Sequence, residues 1–156
     1  MKNKIFWMIQ EKSNLPDKLD WLAPMELNQV AGFRFQKRRD DWLLGRWTAK
    51  KLILTCYSVQ NSIDPKDIVI QNEASGAPYA LLQGTRMLGT ISISHRGEYA
   101  AAAFTENPKW SLGIDLELIE EKTQGFLEDY FTTSEVQQIK VLSSKQKALA
   151  SSLMWS

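Results

Sequence analysis

The sequence predicts one domain that mixes α-helices with β-strands. Three observations predict it. Short stretches alternate apolar and polar residues, or run apolar, at 5–9, 68–70, 79–82, 88–94 and 99–104. One long stretch, 36–59, spaces its apolar residues about 3.6 apart. Turn residues separate these segments. With 156 residues, 44% hydrophobic and 24% charged, the chain is long enough for a single core and ordinary in make-up for a globular protein.

Ile5 to Ile9 reads as the first strand, interrupted by Asn14, Pro16 and Asp17. Pro24 fits the first turn of a short helix, where its missing N–H costs nothing, and Gly32 ends it. Gln36 to Val59 is the long helix, with Leu43, Trp47, Ile53, Leu54 and Tyr57 on its apolar side. Arg39, Leu43, Arg46 and Lys50 follow helical steps, so three cations line one flank. The ordinary expectation is a solvated helix face; guanidinium forks and ammonium charges are also what phosphates need.

Ile68–Ile70 and Tyr79–Leu82 read as two strands joined by the turn Ser75-Gly76-Ala77-Pro78. Leu88 to Ser94 alternates, with Ile91 and Ile93 on one face and Ser92 and Ser94 on the other, before a turn at His95-Arg96-Gly97. A lone histidine at a strand end is more often structural than catalytic, yet such a group also suits a phosphate oxygen. Tyr99 to Phe104 is a strand whose four alanines imply close packing against another element, since alanine is a poor strand former.

Leu112, Ile114, Leu116 and Leu118 alternate with Gly113, Asp115 and Glu117, the pattern of a half-buried strand with two carboxylates on one face. The ordinary reading is a solvated strand face. The chemical one is a cation site, because carboxylates side by side repel unless a cation joins them, and two oxygen ligands supplemented by water and phosphate suit Mg²⁺. Phe126–Phe131 reads as a short helix. Thr132-Thr133-Ser134-Glu135 reads as a capping box opening another, and Lys145–Trp155 as the last.

Net charge is +1, so overall charge names no partner. From Arg34 to Lys51, however, there are seven basic and two acidic residues, and from Asp115 to Glu135 seven acidic and one basic. One segment could hold a phosphorylated ligand and the other a metal. The single cysteine, Cys56, excludes an internal disulfide and a cysteine-based zinc site, and fits a reducing compartment. No apolar run approaches the roughly 20 residues that span a bilayer, and the N-terminal run is too short for a signal peptide. The expected location is the cytoplasm, with neither membrane nor nucleic acid as partner.

Four blocks in order resemble a known family: Trp42-Leu43-Leu44-Gly45-Arg46-Trp47-Thr48-Ala49-Lys50, Gly76-Ala77-Pro78, Ile93-Ser94-His95-Arg96-Gly97 and Gly113-Ile114-Asp115-Leu116-Glu117. Together with Tyr130–Glu135 they resemble the 4′-phosphopantetheinyl transferases, specifically the longer, pseudo-dimeric type that activates peptide and polyketide synthases. The resemblance implies an α+β fold of two similar α/β halves. Residues 1 to about 105 would be the first half, and about 106 to 156 an incomplete second.

It also implies a reaction. The phosphopantetheine arm of coenzyme A passes to a serine of an acyl- or peptidyl-carrier protein, with Mg²⁺ bridging enzyme carboxylates and pyrophosphate, and adenosine 3′,5′-bisphosphate leaves. By motif, Asp115 and Glu117 resemble metal ligands, and Ser94 and His95 the pair at the phosphate end of coenzyme A. Gly76 and Pro78 resemble the turn near the nucleotide, and Arg46 and Lys50 the basic helix of the pocket. Two departures stand out. Ala77 takes the place of the family's usual lysine, and the sequence ends at Trp155-Ser156, where the family continues into Lys-Glu. A third metal ligand would then have to be found elsewhere, with Glu135 a candidate. The competing expectation is a catalytically silent relative that binds coenzyme A or a carrier protein without turnover.

Overall fold

The computed structural model describes residues 4–57 and 63–155, in two compact units, Met1–Asp115 and Leu116–Ser156. The first unit runs β1 (Phe6–Glu11), α1 (Pro24–Ala31), α2 (Gln36–Tyr57), β2 (Ile68–Asn72), β3 (Pro78–Leu82), β4 (Thr85–Arg86), β5 (Thr90–Arg96) and β6 (Tyr99–Thr105). Its strands form two antiparallel sheets, in the orders β1-β6-β5 and β2-β3-β4. The second unit is helical among its described residues: α3 (Gln124–Tyr130), α4 (Thr133–Lys140) and α5 (Ser144–Trp155). Mixed helix and sheet is thus what the sequence led us to expect. The last two residues expected in α2, 58 and 59, lie outside the described residues.

Helix α2 crosses the β1-β6-β5 sheet and also reaches β2. Ala49, Leu52 and Ile53 of the helix bury against Ile91, Ala102 and Phe104 of the first sheet and Ile68, Ile70 and Ala80 of the second. The alanines of β6 give the helix room: Ala100 through Ala103 are all buried. At Gly45 the approach is closest, since a Cβ there would meet Ile93 Cγ2 at 3.2 Å. Gly89, just before β5, stands at φ +108°, and a Cβ would lie 2.0 Å from the Thr105 carbonyl oxygen, so no other residue fits.

Two expectations are corrected. Strand β5 continues through His95 and Arg96, which pair with Ala100 and Tyr99, so the turn is displaced onto Gly97 and Glu98. And residues 112–118 form no strand. Hydroxyls on β5 bind the neighbouring segment instead of a backbone ladder: Thr90 Oγ1 donates to the Trp110 carbonyl at 2.8 Å, and Ser92 Oγ accepts from the Ile114 N–H at 3.1 Å. The alternation survives as exposure. Ser111, Gly113 and Asp115 are exposed, while Leu112, Ile114 and Leu116 are half-buried.

In the second unit, Leu127, Val136 and Ile139 form the core. Thr123 caps α3 by accepting from Phe126 N–H at 3.2 Å. Thr132 opens α4 with the expected reciprocal box: Glu135 accepts from the Thr132 N–H at 2.8 Å and from its hydroxyl at 2.7 Å. Those bonds hold the Glu135 carboxyl below its ordinary pKa. This carboxylate is engaged in capping, which removes the reason to seek a substitute metal ligand there. Among the described residues no helix is long and apolar enough to cross a membrane.

The solvated basic flank expected on α2 is also corrected. Lys50 is fully buried and pairs with Glu26 of α1 at 2.5 Å. Its ammonium also donates to the Trp21 carbonyl at 3.1 Å. The same carboxylate accepts from the Ala23 N–H at 3.0 Å and the Ile70 N–H at 3.2 Å. Burial lowers the pKa of Lys50, and the adjacent carboxylate opposes that shift. Replacing one member of such a pair leaves a buried charge without its partner, so Lys50→Met is expected to cost about 3–5 kcal/mol. Glu26→Ala should cost at least as much, since it also orphans two amides. Chemical denaturation measures both, and a loss below about 1 kcal/mol for Lys50→Met contradicts the role given to the pair.

Candidate active site

The first unit carries an open cleft of about 850 Å³. One wall is the outer turn side of α2: Lys37, Arg38, Asp41, Trp42, Gly45 and Arg46. The opposite wall is the β2–β3 hairpin, with Asn72, Gly76 and Pro78. Ile93 and His95 of β5, with Gln29, Phe33 and Phe35, complete the lining. Gly76 stands at φ +90°, which glycine alone adopts readily and which lets the chain reverse before Pro78.

Four of the residues singled out in the sequence therefore meet here: Arg46, Gly76, Pro78 and His95. Lys50, with its ammonium committed to Glu26 and no exposure, does not reach the cleft. Nor does Ser94. Neighbours on a strand project to opposite faces, so with Ile93 and His95 turned to the cleft Ser94 is turned away. Its hydroxyl donates to Asp115 Oδ1 at 3.0 Å. The two residues expected as a pair are split, and Ser94 instead orients the exposed carboxylate of Asp115. Glu117 is half-buried, in the segment that opens the second unit. Among the described residues no group of three or more His, Cys, Asp or Glu side chains is placed to hold a metal ion.

Arg46 is 8% exposed. Its guanidinium lies over the Trp42 ring at 5.0 Å, and Nη2 donates to Asn72 Oδ1 at 2.6 Å. Burial lowers its pKa, but guanidinium starts so high that it keeps its charge. Arg38 stands over Phe33 at 5.8 Å. Lys37 pairs with Asp41 at 2.6 Å, and His95 Nδ1 comes within 3.9 Å of the same carboxylate oxygen. Cations thus outnumber anions, and exposed or half-buried rings offer flat faces. The arrangement suits a phosphorylated ligand carrying a planar base. Cys56 belongs to no such chemistry, because burial pushes its thiol up to about 11 and keeps it protonated.

Sequence reasoning missed Lys37, Arg38, Asp41 and Asn72. For the helix residues the signal was present: Arg38, Trp42 and Arg46 are four apart, one stripe of a helix.

No family model matches the chain. Holo-[acyl-carrier-protein] synthase of Lactococcus lactis subsp. cremoris is 30% identical over 83 residues, covering 52% of this chain and 70% of the relative. The chain belongs to the 4′-phosphopantetheinyl transferase superfamily. Holo-[acyl-carrier-protein] synthase of Staphylococcus carnosus is 27% identical to this transferase over 101 residues, 64% of this chain and 83% of the relative. The crystal structure of a holo-(acyl-carrier-protein) synthase from Bacillus anthracis, in complex with CoA (3′,5′-ADP), superposes on the transferase chain with a TM-score of 0.52 at 27% identity. It covers 64% of this chain and 91% of that one.

Among the described residues that line the cleft Asp41 is the one carboxylate, so it opposes an anionic ligand. Asp41→Asn is expected to tighten binding of inorganic pyrophosphate about three- to tenfold at low ionic strength, with the gain shrinking as salt is raised. Isothermal calorimetry measures this; unchanged affinity would contradict an anion site between α2 and the hairpin.

Proposed function

We propose that this chain moves the 4′-phosphopantetheine arm of coenzyme A onto a serine hydroxyl of an apo acyl- or peptidyl-carrier protein, with Mg²⁺ as cofactor. The observation that carries the reading is the cleft itself: Arg46, His95 and the Gly76–Pro78 turn, from three separate elements, line one cavity that suits a nucleotide polyphosphate. The relatives named above are holo-[acyl-carrier-protein] synthases, and the structure of one of them is a complex with CoA (3′,5′-ADP).

In this reaction an oxygen–phosphorus bond forms from the carrier serine to the β-phosphorus, the one bearing pantetheine, and the serine hydroxyl gives up its proton to water. The bond from that phosphorus to the bridging oxygen breaks, and adenosine 3′,5′-bisphosphate carries that oxygen away. The attacked phosphorus is screened by negative oxygens, and the leaving group gains charge, so the first requirement is fixed positive charge around the pyrophosphate. Arg46 supplies a buried, oriented guanidinium, and His95, Lys37 and Arg38 add exposed donors along the same cleft. Trp42, Phe33 and Phe35 offer faces for the adenine and keep water from one side of the ligand.

The oxygen donors of Asp115 and Glu117 are of the type Mg²⁺ prefers, and the hydroxyl of Ser94 holds Asp115 in one orientation, as residues behind a metal ligand commonly do. Asp115 lies with Ser94 on the face of β5 turned from the cleft, so Mg²⁺ held there would neutralise phosphate oxygens only of a ligand that extends past that strand. Residues 1 to about 105 would form the first of two related halves. The same reading has the reaction in the cytoplasm, with neither a membrane nor a nucleic acid involved.

Intact-mass spectrometry of an apo carrier protein, incubated with the chain, coenzyme A and Mg²⁺, tests this directly. A phosphopantetheine-sized gain that EDTA abolishes is expected, and Asp115→Ala should slow it by at least about 100-fold. A near-normal rate in that variant overturns the metal assignment. Coenzyme A binding with no gain in mass favours the silent binder.

A further inference from the structure

Asn72 ends β2 and faces the cleft. Its side chain makes two hydrogen bonds at once. The amide oxygen accepts from Arg46 Nη2 at 2.6 Å, and the amide nitrogen donates to the Gly76 carbonyl at 2.6 Å. One orientation alone satisfies both, because a guanidinium can only donate and a carbonyl can only accept. The partners belong to different layers of the unit: Arg46 is on the helix that crosses the first sheet, and Gly76 is in the hairpin of the second.

The hairpin end is closed without this side chain. Gly76 N–H donates to Glu73 O and Glu73 N–H to Ala77 O, each at 2.9 Å. Asn72 is therefore not needed to form the turn. What it fixes is the turn's position relative to Arg46. Arg46 in turn has little else to orient its guanidinium: Nε is buried with no hydrogen-bond partner, and the ring of Trp42 beneath it constrains tilt but not rotation in the plane.

We propose that Asn72 is a positioning residue for the coenzyme A site. Its amide sets the spacing between the buried cation of α2 and the Gly76–Pro78 backbone, so that a single nucleotide polyphosphate meets both. The inference rests on the function proposed above, and it assigns Asn72 no contact with the reacting atoms. The side chain acts through Arg46. Aspartate could not replace it, since a carboxylate cannot donate to the Gly76 carbonyl and would neutralise the cation the ligand needs.

The test is a double-mutant cycle on coenzyme A affinity by calorimetry, with thermal melting of each variant. Asn72→Ala in the otherwise native chain is expected to weaken binding about tenfold, the loss of one charge-assisted hydrogen bond's worth of orientation. Its melting temperature should stay close to the native one. In a chain already carrying Arg46→Met, the same change should alter the dissociation constant by less than about twofold, because the group it positions is gone. In turnover the loss should fall on KM for coenzyme A and spare kcat, which a general loosening of the fold would not do. Equal losses in both backgrounds, or no loss in the native one, overturn the proposal. A native chain that binds no coenzyme A overturns the functional reading, and the inference falls with it. If Asn72→Ala does not fold, Asn72→Ser, which keeps a small polar side chain, is read through the same cycle with the same criteria.

Discussion

The ammonium of Lys50 and the carboxylate of Glu26 meet at 2.5 Å with essentially no exposure, and the first unit is assembled around that contact. Glu26 ties α1 to α2 through Lys50, to the turn before α1 through the Ala23 amide, and to β2 through the Ile70 amide. The carboxylate accepts from the ammonium and two backbone amides, and the ammonium also donates to the Trp21 carbonyl, bonds that offset the desolvation of the buried pair. An apolar pair of similar volume would pack equally well but would not fix the rotation of α2. The charged pair does, because the helix can satisfy Lys50 in one rotational setting only.

That setting determines what the cleft contains. Arg46 lies one turn before Lys50 on α2, close to the same angular position, so the rotation that buries Lys50 brings Arg46 to the inner end of the cleft. Trp42, one turn earlier, supplies the face on which the guanidinium rests, and Arg38 continues the stripe outward. The second sheet then presents its hairpin to this stripe, with Asn72 bridging the gap. A surface lysine or arginine on a solvated helix would be mobile and well hydrated. Here the Arg46 guanidinium is desolvated and held, which strengthens its interaction with an incoming phosphate.

The elements of this fold were legible where a regular pattern met a regular environment. The alternation at 88–94 and the run of small apolar residues at 99–104 pointed to strands, the 3.6 spacing to α2, and Thr132 to Glu135 to a helix start, because each of these signals is local. The misreadings have physical causes too. Lys50 was expected in solvent because helical spacing gives the direction of a side chain but not the depth of its surroundings, and its partner lies 24 residues away. Ser94 and His95 were expected together because their block resembles the family's, while the residues alone placed His95 in a turn. Once it is the penultimate residue of β5, parity alone sends the two to opposite faces. The segment around Asp115 kept its alternating burial but not its strand, since the hydroxyls of Thr90 and Ser92 took the place of ladder partners, a substitution that alternation cannot register. Asn72 carried no signal at all, being one polar residue before a turn.

The central claim is that the cleft between α2 and the β2–β3 hairpin is where coenzyme A sits. A crystal structure of the chain grown with coenzyme A tests it most directly. The account predicts pyrophosphate density against Arg46 and His95, with the nucleotide beside the Gly76–Pro78 turn and Asn72 still bridging Arg46 and Gly76. Coenzyme A bound elsewhere on the chain, with this cleft empty, would contradict it.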